Sequence, residues 1–155
     1  MNNDFIVREF TLADGPVFKA LNIEWLEAYF EVEAYDEQVL SNPQSEILDK
    51  GGRIFMAELD DKIVGTFAFI FRGEGYYEFS KMAITPLFRG QGYGNAMMRA
   101  AIAYAEKHRW SKIVLYSSTK LNNSIHLYRK YGFIEVPLEA NAFYARGDIK
   151  MELTL

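Results

Sequence analysis

The chain has 155 residues, 50% of them hydrophobic and 15% aromatic, enough to bury one substantial core, so a single domain over 1–155 is expected. Its 17 Lys and Arg against 21 Asp and Glu leave a formal charge of -4, which excludes the broad basic surface of a general nucleic-acid binder and mildly favours a cationic partner. With no cysteine there is no disulfide, thiolate metal site or cysteine-based covalent intermediate; with no basic, apolar leader and no apolar run of roughly 20 residues, a soluble, cytoplasmic protein is expected.

Phe5 to Phe10 alternates as a first strand, and Asp14-Gly15-Pro16 reads as a turn. Phe18, Leu21, Trp25, Leu26 and Tyr29 then recur at helical spacing. From Glu31 to Gly52 the chain is more polar and broken by Asn42-Pro43, which predicts one or two short helices. Arg53 to Leu59 and Lys62 to Phe71 form a hairpin joined at Asp60-Asp61, with Phe67, Phe69 and Phe71 on one face. Tyr76 to Thr85 is a further strand. After a glycine cluster, Ala96, Met97, Ala100, Ala101 and Tyr104 make a helical stripe closed by Lys107, His108 and Arg109, cations at the negative end of the macrodipole. Ile113 to Tyr116 is a short strand, Asn122 to Tyr131 a short helix capped by Gly132, and Ile149, Met151, Leu153 and Leu155 alternate as a closing strand. This order predicts a mixed α/β sheet flanked by helices.

Between strand and helix lies Met82-Ala83-Ile84-Thr85-Pro86-Leu87-Phe88-Arg89-Gly90-Gln91-Gly92-Tyr93-Gly94-Asn95. Glycines let a backbone approach a ligand, and the free amides at the following helix start point at negative charge, so a pyrophosphate could sit there with Arg89 beside it. A dinucleotide fingerprint fails because Asn95 stands where its third glycine belongs, and a P-loop fails for want of Gly-Lys-Ser/Thr. A glycine turn needed only for geometry is the competing reading.

Arg89-Gly90-Gln91-Gly92-Tyr93-Gly94 resembles the Q/R-x-x-G-x-G/A motif of the GNAT (general N-acetyltransferase) superfamily. Glu78 to Ile84 resembles the strand before that motif, and Ile125 to Phe133, with Leu127-Tyr128 and Gly132-Phe133, the later L-Y-x-x-x-G-F helix. The similarity spans nearly the whole chain. It implies a mostly antiparallel twisted sheet of about six to seven strands, splayed near its middle, flanked by about four helices. It also implies acetyl-CoA as acyl-donor cosubstrate, its pantetheine arm meeting the backbone of Met82 and Ile84. The pyrophosphate would meet Gly90 and the amides of Gln91, Gly92, Tyr93, Gly94 and Asn95.

Transfer from a thioester to an amine needs a neutral nucleophile, yet an alkylammonium of pKa near 10.4 is only about one part in 2,500 neutral at pH 7, a handicap of roughly 4 to 5 kcal/mol. A base or a desolvating pocket must help. With no Cys and no G-x-S-x-G, direct transfer in a ternary complex is the simpler route. The resemblance makes Tyr128 the candidate acid for the departing thiolate, a core tyrosine being the alternative. It makes Glu78 the candidate base, against a solvated or ion-paired strand glutamate with Lys81 as nearby partner.

Many members keep an asparagine seven residues before the tyrosine. Here Leu121 stands there, and Asn122 or Asn123 is the substitute coenzyme contact or a simple N-cap. His108 and His126 have no spaced metal partners, so no metal is predicted.

The family builds its acceptor pocket partly on the N-terminal helices, where Trp25, Tyr29 and Glu33 are the expected substrate contacts; aromatics beside carboxylates suit a cationic amine. The expected function is N-acetylation of a primary amine, small or peptide-borne, with no nucleic acid or membrane partner and with a homodimer compatible. The alternatives are a non-catalytic acyl-CoA-binding regulatory module and a protein N-terminal or lysine acetyltransferase.

Overall fold

A computed structural model describes residues 4–140 and 146–155. The strand β1 (Phe5–Glu9) passes through a 3-10 turn (Leu12–Asp14) into α1 (Gly15–Tyr29), followed by α2 (Ala34–Ser41). The turn expected at Asp14-Gly15-Pro16 is instead a helix start, because a proline in the first turn has no amide to leave unbonded and its φ already suits the helix. Asp14 closes the preceding turn: it accepts the Thr11 amide at 2.7 Å and the Arg8 guanidinium at 2.8 and 3.0 Å. The Arg8 bonds outweigh its burial and hold the carboxyl at about 2. After Asn42-Pro43 the chain makes one π-helical turn, Gln44–Leu48, closed by the Asp49 amide on the Gln44 carbonyl at 2.7 Å.

The remaining elements are β2 (Arg53–Leu59), β3 (Lys62–Gly73), β4 (Tyr76–Ile84), α3 (Tyr93–Lys107), β5 (Lys112–Ser117), α4 (Asn122–Lys130), β6 (Ile134–Val136) and β7 (Ile149–Thr154). Among the described residues they form one seven-stranded sheet in the order β1-β2-β3-β4-β5-β7-β6, antiparallel except for the β4–β5 pair. The short edge strand β6 was not anticipated; three residues after a helix cap carry too little alternation to read. The β2–β3 turn places Asp60 and Asp61 at φ 49° and 67°, the pair of left-handed residues that a two-residue hairpin loop requires and that aspartate tolerates.

The sheet is covered on both faces, so β2 and β3 read as continuous apolar runs. Ile54, Met56 and Ala68 pack under α1, α2 and the π turn with Phe18, Leu26, Leu40 and Ile47. Phe55, Phe67, Phe69 and Phe79 pack under α3 with Met97, Met98 and Trp110. Each such apolar side chain contributes on the order of 2 kcal/mol by leaving water. Phe71, expected on the same face as Phe67 and Phe69, is 43% exposed, because β3 has there run past the helices. Gly52, entering β2, has no room for a side chain: a Cβ would meet the Phe69 carbonyl oxygen at 2.5 Å and the Ile47 Cγ2 at 2.9 Å. We expect Gly52→Ala to lower stability by about 2 kcal/mol, the cost of overpacking, read as a lowered urea midpoint with an unchanged slope; an unshifted midpoint would mean that the strands give way freely.

Strands β4 and β5 pair only at Tyr76↔Lys112, Tyr77↔Ile113 and Glu78↔Val114. Beyond Glu78 they part, β4 staying with β3 and β5 with β7. A bulge marks the parting. The β3–β4 register jumps between Thr66↔Ala83 and Ala68↔Ser80, and Lys81 takes a left-handed φ of 57°. An extra residue bends and twists the bulged strand, which carries β4 away from β5.

Candidate active site in the opened sheet

The gap between the two strands is a cleft of about 530 Å³ walled by β4 from Glu78 to Ile84, by β5 from Leu115 to Ser117, by α1, and by the starts of α3 and α4. One side carries the glycine loop. Gly90 and Gly92 have φ 74° and 88°, and a Cβ built on either meets nothing within 4 Å, so both need glycine for conformation and border open space. The first ladder bond of α3 runs from the Ala96 amide to the Gly92 carbonyl at 3.3 Å, which leaves the amides of Tyr93, Gly94 and Asn95 outside the ladder. At Gly94 a Cβ would lie 3.5 Å from Met82 Cε and 3.7 Å from Leu127 Cδ2; a glycine there lets the helix start sit close across the gap.

Backbone direction along β4 follows from its pairing. The Thr85 amide bonds the Val64 carbonyl on β3, so the Ile84 carbonyl, and Met82 two residues earlier, face the cleft. Arg89 meets that Ile84 carbonyl through Nε at 2.8 Å, pairs with Glu24 on α1 at 2.6 Å, and lies over the Tyr29 ring at 5.6 Å. Gln91 is turned outward, its amide on the Leu87 carbonyl at 2.9 Å. The Tyr93 ring stacks on Phe5 at 5.0 Å, so only its backbone bears on the loop. Asn95 is fixed by Lys130 at 2.8 Å and Tyr131 at 3.0 Å, which ties α3 to α4.

Tyr128 projects from α4 into the cleft wall. Burial pushes its phenol up to about 12, against a Ser124 hydrogen bond that lowers it, so it is protonated at any working pH. Leu121 begins α4 without a side-chain cap and lines the cleft with Asn123, whereas Asn122 does not line it. Glu78 sits on the last β4–β5 rung, 2% exposed, and its ion partner is Arg72, whose Nε meets Oε1 at 2.9 Å and whose Nη2 meets the same oxygen. The expected partner Lys81, three residues on along the same strand, interacts with this carboxylate by charge.

The structure thus gathers Trp25, Tyr29, Glu78, Met82, Ile84, Arg89, Gly90, Gly92, Gly94, Asn95, Asn123 and Tyr128 around one cavity and leaves Gln91, Tyr93, Asn122 and Glu33 off its wall. Glu33 is bound to Arg146 at 2.7 Å, and the same guanidinium clamps Asp36 at 2.8 and 2.9 Å. Burial raises the Asp36 pKa, but the Arg146 bonds and the Glu33 amide outweigh it and hold the carboxyl below its ordinary value. Asp36, in the acceptor stretch with Glu33, and Lys81, expected only as a partner of Glu78, also line the cleft, as do Arg146 and Tyr116, which were not singled out. No local signal marks them: Asp36 and Arg146 meet across 110 residues, and the Lys81 bulge has no glycine to announce it. Among the described residues no group of three or more His, Cys, Asp or Glu could hold a metal, and no helix is long and apolar enough to cross a membrane.

The arrangement offers amides for an anion, a slot between strands for a flexible chain, and a protonated phenol within it. Comparisons with known proteins agree in kind. No curated protein sequence matches the chain. Among solved structures it is similar to a GNAT-family acetyltransferase from Staphylococcus aureus Mu50 (TM-score 0.85, 16% identity, 97% of this chain and 99% of that one). It is also similar to a Vibrio cholerae spermidine N-acetyltransferase in complex with CoA and spermine (0.74, 22%, 97% and 95%) and to a ribosomal-protein-alanine N-acetyltransferase from Brucella melitensis (0.74, 20%, 97% and 99%). The family model described as the acetyltransferase (GNAT) family matches residues 18–133, three quarters of the chain, and the opened sheet with its glycine loop is the architecture that match implies: the chain belongs to the acetyltransferase (GNAT) family.

Proposed function

We propose that the chain is an acetyl-CoA-dependent N-acetyltransferase that passes the acetyl group to a primary amine directly, within a ternary complex. The observation that carries this reading is the sheet opened beyond Glu78, with the amide-rich start of α3 on one flank and the Tyr128 phenol in the wall. The residues present fit the coenzyme: amides outside the helical ladder for a pyrophosphate, an open surface at Gly90 and Gly92, and cleft-facing backbone at Met82 and Ile84 for an amide-bearing arm. CoA in the similar Vibrio cholerae enzyme supports the same choice. Bound acetyl-CoA supplies the activated thioester. The chain's residues orient it, exclude water, and move two protons.

Glu78 takes the amine proton, directly or through one water, from the mouth of the parted strands, where its carboxylate is paired with the adjacent guanidinium of Arg72. Tyr128 gives a proton to the departing thiolate. Trp25 and Tyr29 wall the acceptor side. Glu78→Gln is expected to flatten the acidic limb of the kcat/KM profile, because that limb reports protonation of the base; an unaltered limb would return Glu78 to its pair with Arg72 as a structural group. The reading as a whole is tested by release of free CoA thiol from acetyl-CoA with a panel of amines. Tight binding without release would favour a regulatory module, and absence of binding would overturn the reading.

A further inference from the structure

On the buried face of α1 one polar side chain interrupts an apolar stripe. Phe18, Asn22 and Leu26 follow one another at helical spacing and are 0%, 4% and 4% exposed, so the asparagine lies between two core residues on the face turned to the sheet. A leucine there would continue the stripe, favour the helix and bring no polar atoms to bury. Asparagine is an unfavourable choice for packing alone, and the helix uses only part of it.

The part in use is Nδ2, which donates to the Phe18 carbonyl at 3.0 Å. Only the nitrogen can give a hydrogen to a carbonyl, which fixes the orientation of the amide and turns Oδ1 away from that carbonyl. Among the described residues Oδ1 accepts no hydrogen bond. Those same residues leave no enclosed side-chain nitrogen or oxygen without a partner, so an unpaired Oδ1 must reach open space. The open space that Asn22 lines is the cleft.

The ligand group that suits this atom is a neutral amide N–H. A carboxamide set between Phe18 and Leu26 offers a lone pair and no charge, which does little for an ammonium but satisfies an amide fully. The carboxylates that line the cleft, Glu78 and Asp36, are elsewhere on its wall, each paired with an arginine. Helix α1 packs on β4, so Asn22 and the cleft-facing backbone of Met82 and Ile84 are walls of one slot, and an amide-bearing chain lying in it meets hydrogen-bonding groups from helix and strand together.

We propose that Asn22 is a coenzyme-positioning residue whose Oδ1 accepts an amide N–H of the acetyl-CoA arm. This rests on the transferase reading above and deepens it. The bond fills the capacity that the helix leaves open, and it ties the arm to the helix that carries Trp25 and Tyr29.

Calorimetric titration of the full chain with CoA and with phosphoadenosine diphosphate, the nucleotide half of CoA without the arm, separates this bond from the anion site at the glycine loop. The expected result for Asn22→Leu is CoA binding weakened about five- to twentyfold, with nucleotide affinity within about twofold of wild type, which also shows the variant to be folded. Asn22→Ala, which removes the same polar atoms without placing bulk in the cleft, gives the same pattern. Unchanged CoA affinity in Asn22→Ala overturns the proposal. A parallel loss of CoA and nucleotide affinity overturns it too, by making Asn22 a structural residue, as does a rise in KM confined to the amine during thiol release, which moves Asn22 to the acceptor side; in each case the transferase reading stands. Failure of the wild-type chain to bind CoA overturns both.

Discussion

Gly92→Glu is expected to abolish coenzyme binding, with a loss of at least a hundredfold in CoA affinity, while leaving the protein folded. The residue stands at φ 88° immediately before α3, so any side chain there pays on the order of 1 to 2 kcal/mol for the left-handed conformation. In a chain of this size that corresponds to a fall in Tm of about 2 to 8 °C. The added Cβ meets no protein atom within 4 Å, so the new side chain does not disrupt packing; it projects into the space beside the free amides of the helix start. A carboxylate there fills the anion site with the charge the site is built to receive, and repels phosphate. Gly92→Ala separates the two effects, since it carries the strain without the charge and should retain most of the affinity. Calorimetric titration with CoA checks both variants; unchanged affinity in Gly92→Glu would remove the loop from the coenzyme site.

What could be read in the sequence and what could not divide along the range of the interactions. The hairpin at Asp60-Asp61, the α3 stripe of Met97 and Ala101, and the strand–glycine–helix unit are written in residues close together in the chain, where period and turn chemistry act directly. The motif located the cleft for the same reason, since glycine residues at fixed spacing serve a local backbone need. The start of α1 was misread because Gly15-Pro16 serves a turn and a helix N-terminus equally well, and only the Arg8–Asp14 closure upstream decides between them. Arg72 as the partner of Glu78 and Arg146 as the partner of Asp36 had no sequence signal: one pairing depends on the register of a hairpin and the other joins residues 110 apart in the chain. Glu33 shows the consequence. As an acid near aromatics it looked like a substrate contact, and in the structure its charge is met by Arg146.

Tyr128→Phe is expected to lower kcat by about ten- to a hundredfold with the dissociation constant for acetyl-CoA unchanged within twofold. The size follows from the leaving group. A thiol of pKa near 8.5 departs as a fairly stable thiolate, so a proton donor is worth less here than the upper range of general acid catalysis would allow. Burial pushes the phenol up to about 12, so it stays protonated throughout the working range and can offer its proton to the sulfur as charge develops there, although the same burial makes it a weaker acid and keeps the expected effect modest. Its titration therefore lies above any alkaline limb seen below pH 10, and such a limb, if present, should survive in Tyr128→Phe with its midpoint unmoved. Phenylalanine keeps the ring packed against Phe133, whose centroid lies 6.0 Å away, so the substitution removes the hydroxyl without opening a cavity. Since an interaction made only as the thiolate departs affects kcat and kcat/KM alike, both constants should fall together; a rise in KM alone would instead assign the hydroxyl to ground-state binding, and wild-type turnover would remove Tyr128 as the acid.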